Sequence, residues 1–387
     1  MSSLPPEPPL PPPPPPAYWV PPPPPWTTAP PPRRRERWWL HVLLFVLTLA
    51  TTTILGAFYA VNYRPALVSP RLGPPVALVH LLAGALTYSI PLMAILLAHE
   101  MGHYLACRRY GIDASPPYFI PFPPFLSISG TLGAFIRIRE PFRDRRQLFD
   151  VGVAGPIAGF VVALPVVAYG ILHTRANLEP IGEGTLVFHY PLAVAVLQEL
   201  LIGHTFSSLV VVEHPSLMAG WFGLFVTALN LMPLGQLDGG HALHALFGRR
   251  TRWLRLPLFA VCVALGFRFP GWWVLAALVL VFGLRHPPVL DEETPVGRGR
   301  VAVALLVLLI LVLCFVPVPL SEVESVPRRA PVKGDGPVVH ELHLHPGAED
   351  PRLHAQAVRP HPGDEAVEEG PGPLGARRPL EPGPPPA

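Results

Sequence analysis

The stretch HEMGH, residues 99–103, sets two imidazoles four residues apart with a carboxylate beside the first. On a helix, positions four apart share one face, so His99 and His103 can each turn a ring nitrogen toward one ion. Zinc takes neutral imidazole well, and a catalytic zinc site keeps three protein ligands and one open position. Glu100, adjacent to a ligand, can accept a proton from a water at that position, while the ion polarises a substrate carbonyl. The H-E-x-x-H pattern therefore predicts a zinc-dependent hydrolytic site. Gly102 lets another backbone approach this turn closely.

Such a site needs a third ligand. Asp238, in NLMPLGQLDGG (230–240), is the leading candidate, with a helix cap or turn as its structural alternative. His241 and His244 are rival ligands. Asn230 can donate to a carbonyl oxygen on which charge develops, or it can satisfy a helix broken near Pro233.

The elements that must carry these residues read as membrane spans. Half of the 387 residues are hydrophobic and 14% are charged, a balance suited to a polytopic membrane protein. A span takes about 20 apolar residues. Runs of that kind lie at 38–62, 76–107, 151–173, 216–234 and 301–317, with two shorter runs at 256–268 and 271–284. Whether the short pair spans twice or re-enters is open, so six or seven helices are expected. Pro91 predicts a kink or break in the second run. Basic flanks at 33–37, Arg108-Arg109, 137–146 and 248–255 mark the cytoplasmic side. The N terminus is then cytoplasmic, 174–215 is an external loop, and seven crossings leave the C-terminal tail outside. By this count HEMGH and NLMPLGQLDGG reach the same face. Nine residues from His99 to Arg108 make about 13 Å of helix, at ~1.5 Å per residue, which puts the cluster within the lipid toward the cytosolic side. Ionisable groups at that depth are expected to be functional.

Other stretches add detail. GTLGAFIRIRE (130–140) alternates with period two and begins with turn-forming glycines, which predicts a small membrane-associated β-hairpin. Its edge strand is expected to pair with an extended substrate by strand addition. Gly155 and Gly159, in GPIAG, have the G-x-x-x-G spacing that brings helices close. Cys107, Cys262 and Cys314 lie far apart in apolar runs and predict no disulfide. The near-neutral net charge of +3 gives no sign of a nucleic-acid face. The proline-rich residues 1–37 are expected to be a disordered cytosolic tail that could dock a partner, and 321–387 a second disordered tail. Within the latter, HELHLH (340–345) is expected to be solvated rather than a metal site.

His99-Glu100-Met101-Gly102-His103 and Asn230-x-x-Pro233-x-x-x-Leu237-Asp238-Gly239 together resemble the site-2 protease family of intramembrane zinc metalloproteases. Both family motifs, H-E-x-G-H and N-x-x-P-x-x-x-L-D-G, are matched in full and in order, and the resemblance covers roughly 80–290. It implies zinc ligation by His99, His103 and Asp238, Glu100 as the catalytic base, and Asn230 assisting substrate or oxyanion binding. It also implies single-pass transmembrane substrates, such as an anti-sigma factor or a membrane-tethered regulator, cut in regulated intramembrane proteolysis. The loop 174–215 is too short for the PDZ domain of many bacterial members, so the chain is similar to the minimal, PDZ-less branch.

The resulting expectation is an all-α polytopic membrane protein with a transmembrane metalloprotease domain over 38–320, in the lipid bilayer of a bacterial inner membrane. A membrane metal transporter and an inactive protease-like scaffold are the competing readings. The base beside the ligands speaks against the first, and the intact motifs against the second.

Overall fold

The computed structural model describes residues 36–69, 73–176, 186–206, 211–282 and 289–322. The two expected disordered tails, apart from their innermost residues, and the HELHLH cluster lie outside the described residues. Nine helices are described: α1 (Trp38–Tyr63), α2 (Pro74–Arg109), α3 (Arg145–His173), α4 (Leu192–Ile202), α5 (Pro215–Leu231), α6 (Asp238–Phe247), α7 (Thr251–Leu265), α8 (Gly271–Phe282) and α9 (Arg298–Cys314). Six short strands pair in twos, all antiparallel: β1 (Tyr118–Pro121) with β2 (Thr131–Phe135), β3 (Arg175–Ala176) with β5 (Val211–Val212), and β4 (Leu186–Phe188) with β6 (Leu320–Glu322).

Of these helices, α1, α2 and α3 are long and apolar enough to cross a membrane. Large apolar side chains stand exposed along α1, among them Val42, Val46, Ile54 and Phe58, as a lipid-facing helix requires. The chain is an integral membrane protein. α4 and α5 are apolar but shorter. α4 lies in what the sequence reads as a plain external loop; its apolar LAVAVLQELLI ends where Gly203 turns left-handed at φ +71°.

α2 runs unbroken through Pro91. A proline inside a helix removes one amide and so orphans the carbonyl four residues earlier. Here that carbonyl, Thr87 O, accepts the Ser216 hydroxyl at 2.7 Å from the start of α5. A neighbouring helix thus supplies what the proline withdrew.

α3 packs against α2, α5 and α6. It starts six residues earlier than its apolar run, because the Asp144 carboxylate caps it by accepting from the Gln147 amide at 2.8 Å. Its contact with α2 is backbone to backbone: a Cβ on Gly102 would overlap the Ala154 carbonyl. α9 is pinned at both ends. Arg300 makes a bidentate pair with Asp150 of α3, Nε to Oδ1 at 2.8 Å and Nη2 to Oδ2 at 2.6 Å, and Tyr110 donates to the same carboxylate. Beyond α9, β6 pairs with β4. Cys107, Cys262 and Cys314 are free and buried.

The strand pair β1–β2 lies lengthwise along α1. Near its base, His41 Nδ1 donates to the Pro117 carbonyl at 3.0 Å, and Phe45 meets Phe119 edge to face. Beyond the strands, Thr51 donates to Gly130 O at 2.8 Å and Tyr59 to Ile128 O at 2.7 Å. From His41 to Tyr59 this covers about 27 Å of helix. β2 ends at Phe135 rather than at 140. The two segments stay in touch below it through the Ala114–Ile138 bridge and the bond from Arg139 N to Asp113 O.

The α2–α3 contact generates a first test. Gly102→Leu has no room beside Ala154 and is expected to cost about 1–3 kcal/mol or more, read as a lowered melting temperature of the detergent-solubilised protein.

Candidate metal centre

His99 and His103 project from one face of α2, ten and six residues before its end at Arg109, and both are buried. Asp238 is the first residue of α6, reached by the turn after α5. α2 and α5 pack together and run the same way, since Ser216 at the start of α5 meets Thr87 well upstream of His99. Two stretches 135 residues apart in sequence therefore converge.

Their polar atoms form a triangle. His99 Nε2 and His103 Nε2 each lie 3.2 Å from Asp238 Oδ2, and 3.2 Å from each other. A tetrahedral zinc ion with bonds of about 2.0 Å would hold its ligand atoms about 3.3 Å apart. The donor set of two imidazoles and one carboxylate suits zinc as well. His103 Nδ1 donates to the Val151 carbonyl of α3 at 2.7 Å, which leaves the Nε2 lone pair facing the triangle. Asn230 Nδ2, near the end of α5, lies 3.3 Å from His99 Nε2. Glu100 is buried, and the backbone amide of Ile136, just past β2, lies against its carboxylate.

Among the described residues, the group able to hold a metal is His99, His103 and Asp238. The rival His241 and His244 are not in it. His241 Cβ packs toward Gly152 of α3, and His244 Nε2 is 4.0 Å from Glu292 Oε1. The G-x-x-x-G pair serves the imidazoles directly. A Cβ on Gly155 would collide with the His103 ring, and one on Gly159 would come within 3.3 Å of His99 Nδ1. Its spacing announced close packing, though not what it packs against. The Val151 carbonyl and the Ile136 amide left no trace in the sequence, because a backbone group has no residue-type signature.

Residues 87–267 match peptidase family M50, which is the site-2 protease family. The chain carries an M50 peptidase domain. The domain starts at α2 and ends just past α7, so it contains the triangle, Glu100, Asn230 and the β1–β2 pair. The curated protein "Probable zinc metalloprotease EGY1, chloroplastic" of Arabidopsis thaliana is 32% identical over 286 residues, 67% of this chain and 50% of that protein. Its namesake in Oryza sativa subsp. japonica is 32% identical over 224 residues, 54% of this chain and 38% of that protein. "Probable zinc metalloprotease EGY2, chloroplastic" of Oryza sativa subsp. indica is 32% identical over 207 residues, covering 52% and 36%. The chain spans half or less of the length of these relatives. Their names are chloroplastic and do not support the bacterial cell membrane expected from the sequence.

The geometry of the M50 domain sets a metal-binding expectation. Purified protein titrated with zinc is expected to take up one ion per chain, and Asp238→Ala to abolish tight uptake. Gly155→Val, which removes no ligand, is expected to weaken affinity about 10–100-fold by displacing the His103 ring.

Proposed function

We propose that this chain is an intramembrane zinc metalloendopeptidase that cuts the transmembrane helices of single-pass membrane proteins. The observation that carries this reading is the triangle of His99, His103 and Asp238, with the Glu100 carboxylate buried beside it. The family and the names of the curated relatives support it.

His99, His103 and Asp238 would hold the ion, and bound zinc supplies Lewis acidity to a scissile carbonyl and to a water. Glu100 takes the proton of the attacking water and hands it to the leaving amine. The Ile136 amide orients the Glu100 carboxylate for that transfer. Asn230 donates from Nδ2 to the carbonyl oxygen as charge grows on it. The Val151 carbonyl holds His103 in the tautomer that keeps Nε2 free for the metal.

A helical substrate hides its peptide bonds and must be held extended. Among the described residues β2 pairs only with β1, which leaves its other edge open for strand addition. Leu132 and Phe135 are exposed on β2 to meet apolar substrate side chains. In this reading the hairpin is immersed in the membrane beside α1. The face bearing Arg108 and Arg109 is cytosolic, the N terminus lies on that side, and α5, α7 to α8 and α9 bring the helices crossing the bilayer to six or seven. The substrates are membrane-tethered regulators or anti-sigma factors, released or destroyed by regulated intramembrane proteolysis. The proline-rich N-terminal segment is a docking tail for a partner.

Two experiments test the reading. Glu100→Gln is expected to keep its zinc and to lose about 10²-fold to 10⁴-fold in cleavage rate. Membranes from cells carrying that variant should accumulate intact single-pass proteins that the wild type clips; undiminished turnover would refute the hydrolase. Proline at Ala134 or Ile136 is expected to abolish cleavage with zinc content unchanged, and normal cleavage in both would rule out strand addition.

A further inference from the structure

Loop backbone at membrane depth survives only where protein groups satisfy its carbonyls. The turn joining β1 to β2 meets that demand with hydroxyls. Three consecutive carbonyls each accept one from a flanking helix: Ile128 O from Tyr59 at 2.7 Å, Ser129 O from Tyr88 at 2.9 Å, and Gly130 O from Thr51 at 2.8 Å. Two hydroxyls of the hairpin itself extend the pattern, Ser129 to Thr131 O at 2.7 Å and Thr131 to Ile120 O at 2.8 Å. Gly130 sits against the backbone of Thr51 and Thr52 at φ +76°, where any other residue would be strained and crowded. Tyr88 is fully buried and its ring packs 5.0 Å from that of Tyr59.

These anchors stand far from the metal centre. Tyr88 is eleven residues before His99 on α2, about 16 Å along the helix. Thr51 and Tyr59 belong to α1, outside the segment that matches the family. Yet they hold the end of the strand whose other end brings the Ile136 amide against Glu100. Held by these three bonds, β2 cannot slide along the membrane normal without orphaning three carbonyls in hydrocarbon.

We infer that Thr51, Tyr59 and Tyr88 are positioning residues, a three-hydroxyl tether that sets the depth at which the open edge of β2 is offered to substrate beside Glu100. This rests on the proposed protease reading, with β2 as the strand that receives substrate.

The test uses the full-length protein in lipid nanodiscs. Its probe is a synthetic single-span peptide with a Gly-Pro pair at mid-span. Thr51→Val, Tyr59→Phe and Tyr88→Phe each keep the side-chain shape and lose one hydroxyl. The triple variant is expected to keep its zinc and to lose amide exchange protection at residues 131–136 about tenfold or more, the scale of several lost hydrogen bonds. Its KM for the peptide is expected to rise about tenfold while kcat stays within about threefold. Thr51→Ser retains the hydroxyl and is expected to match the wild type where Thr51→Val does not. Wild-type protection and KM in the triple variant would overturn the tether, as would protection lost evenly across α1 to α3. A wild type that binds zinc and leaves the peptide uncut would overturn the protease reading instead, and the exchange measurement would still decide the tether.

Discussion

Everything in this fold answers to the cost of holding a carboxylate and two imidazoles away from water. Isolated, each would be expensive to bury; drawn within 3.2 Å of one another, they turn their lone pairs to one point where a bound cation would offset that cost. That requirement dictates the packing around them. α3 must come close enough to lend the Val151 carbonyl to His103, which only glycines at 102, 155 and 159 allow. α5 must run parallel to α2 so that the turn after it delivers Asp238 at the same level. The helices are arranged around a polar point, and their apolar outer faces are what lipid would demand of any arrangement.

The same economy governs the hairpin. A strand pair beside a membrane-length helix exposes amides and carbonyls that a helix would have paired internally. Threonine, serine and tyrosine hydroxyls answer them one at a time, from α1, α2 and the hairpin itself. Around the turn between β1 and β2, polar side chains stand where backbone departs from helix.

Much of this is legible in the sequence. The pairing of His99 with His103 follows from helical period alone. That the stretch bearing Asp238 lies near them is legible from where arginines and apolar runs fall; the choice of Asp238 over His241 and His244 rests on the resemblance. Span lengths were less legible, because α5 and α9 are each 17 residues and fall at the margin where composition cannot separate a crossing from a buried helix. α4 was missed because eleven apolar residues between turns suit several structures. The hairpin's alternation was visible, though its end at Phe135 was not, since pairing depends on what β1 offers across the ladder. Least legible were the contacts made by main-chain atoms, notably Val151 O and the Ile136 amide.

The proline in α2 carries one more implication. A helix with a complete ladder can turn about its own axis against a neighbour at little cost in hydrogen bonds. In α2 such a turn would also break the bond from the Ser216 hydroxyl of α5 to Thr87 O. That contact adds to the packing that sets the helix bearing both histidines against the helix that leads to the aspartate. What looks like a flaw in the ladder is a docking point for the neighbouring helix.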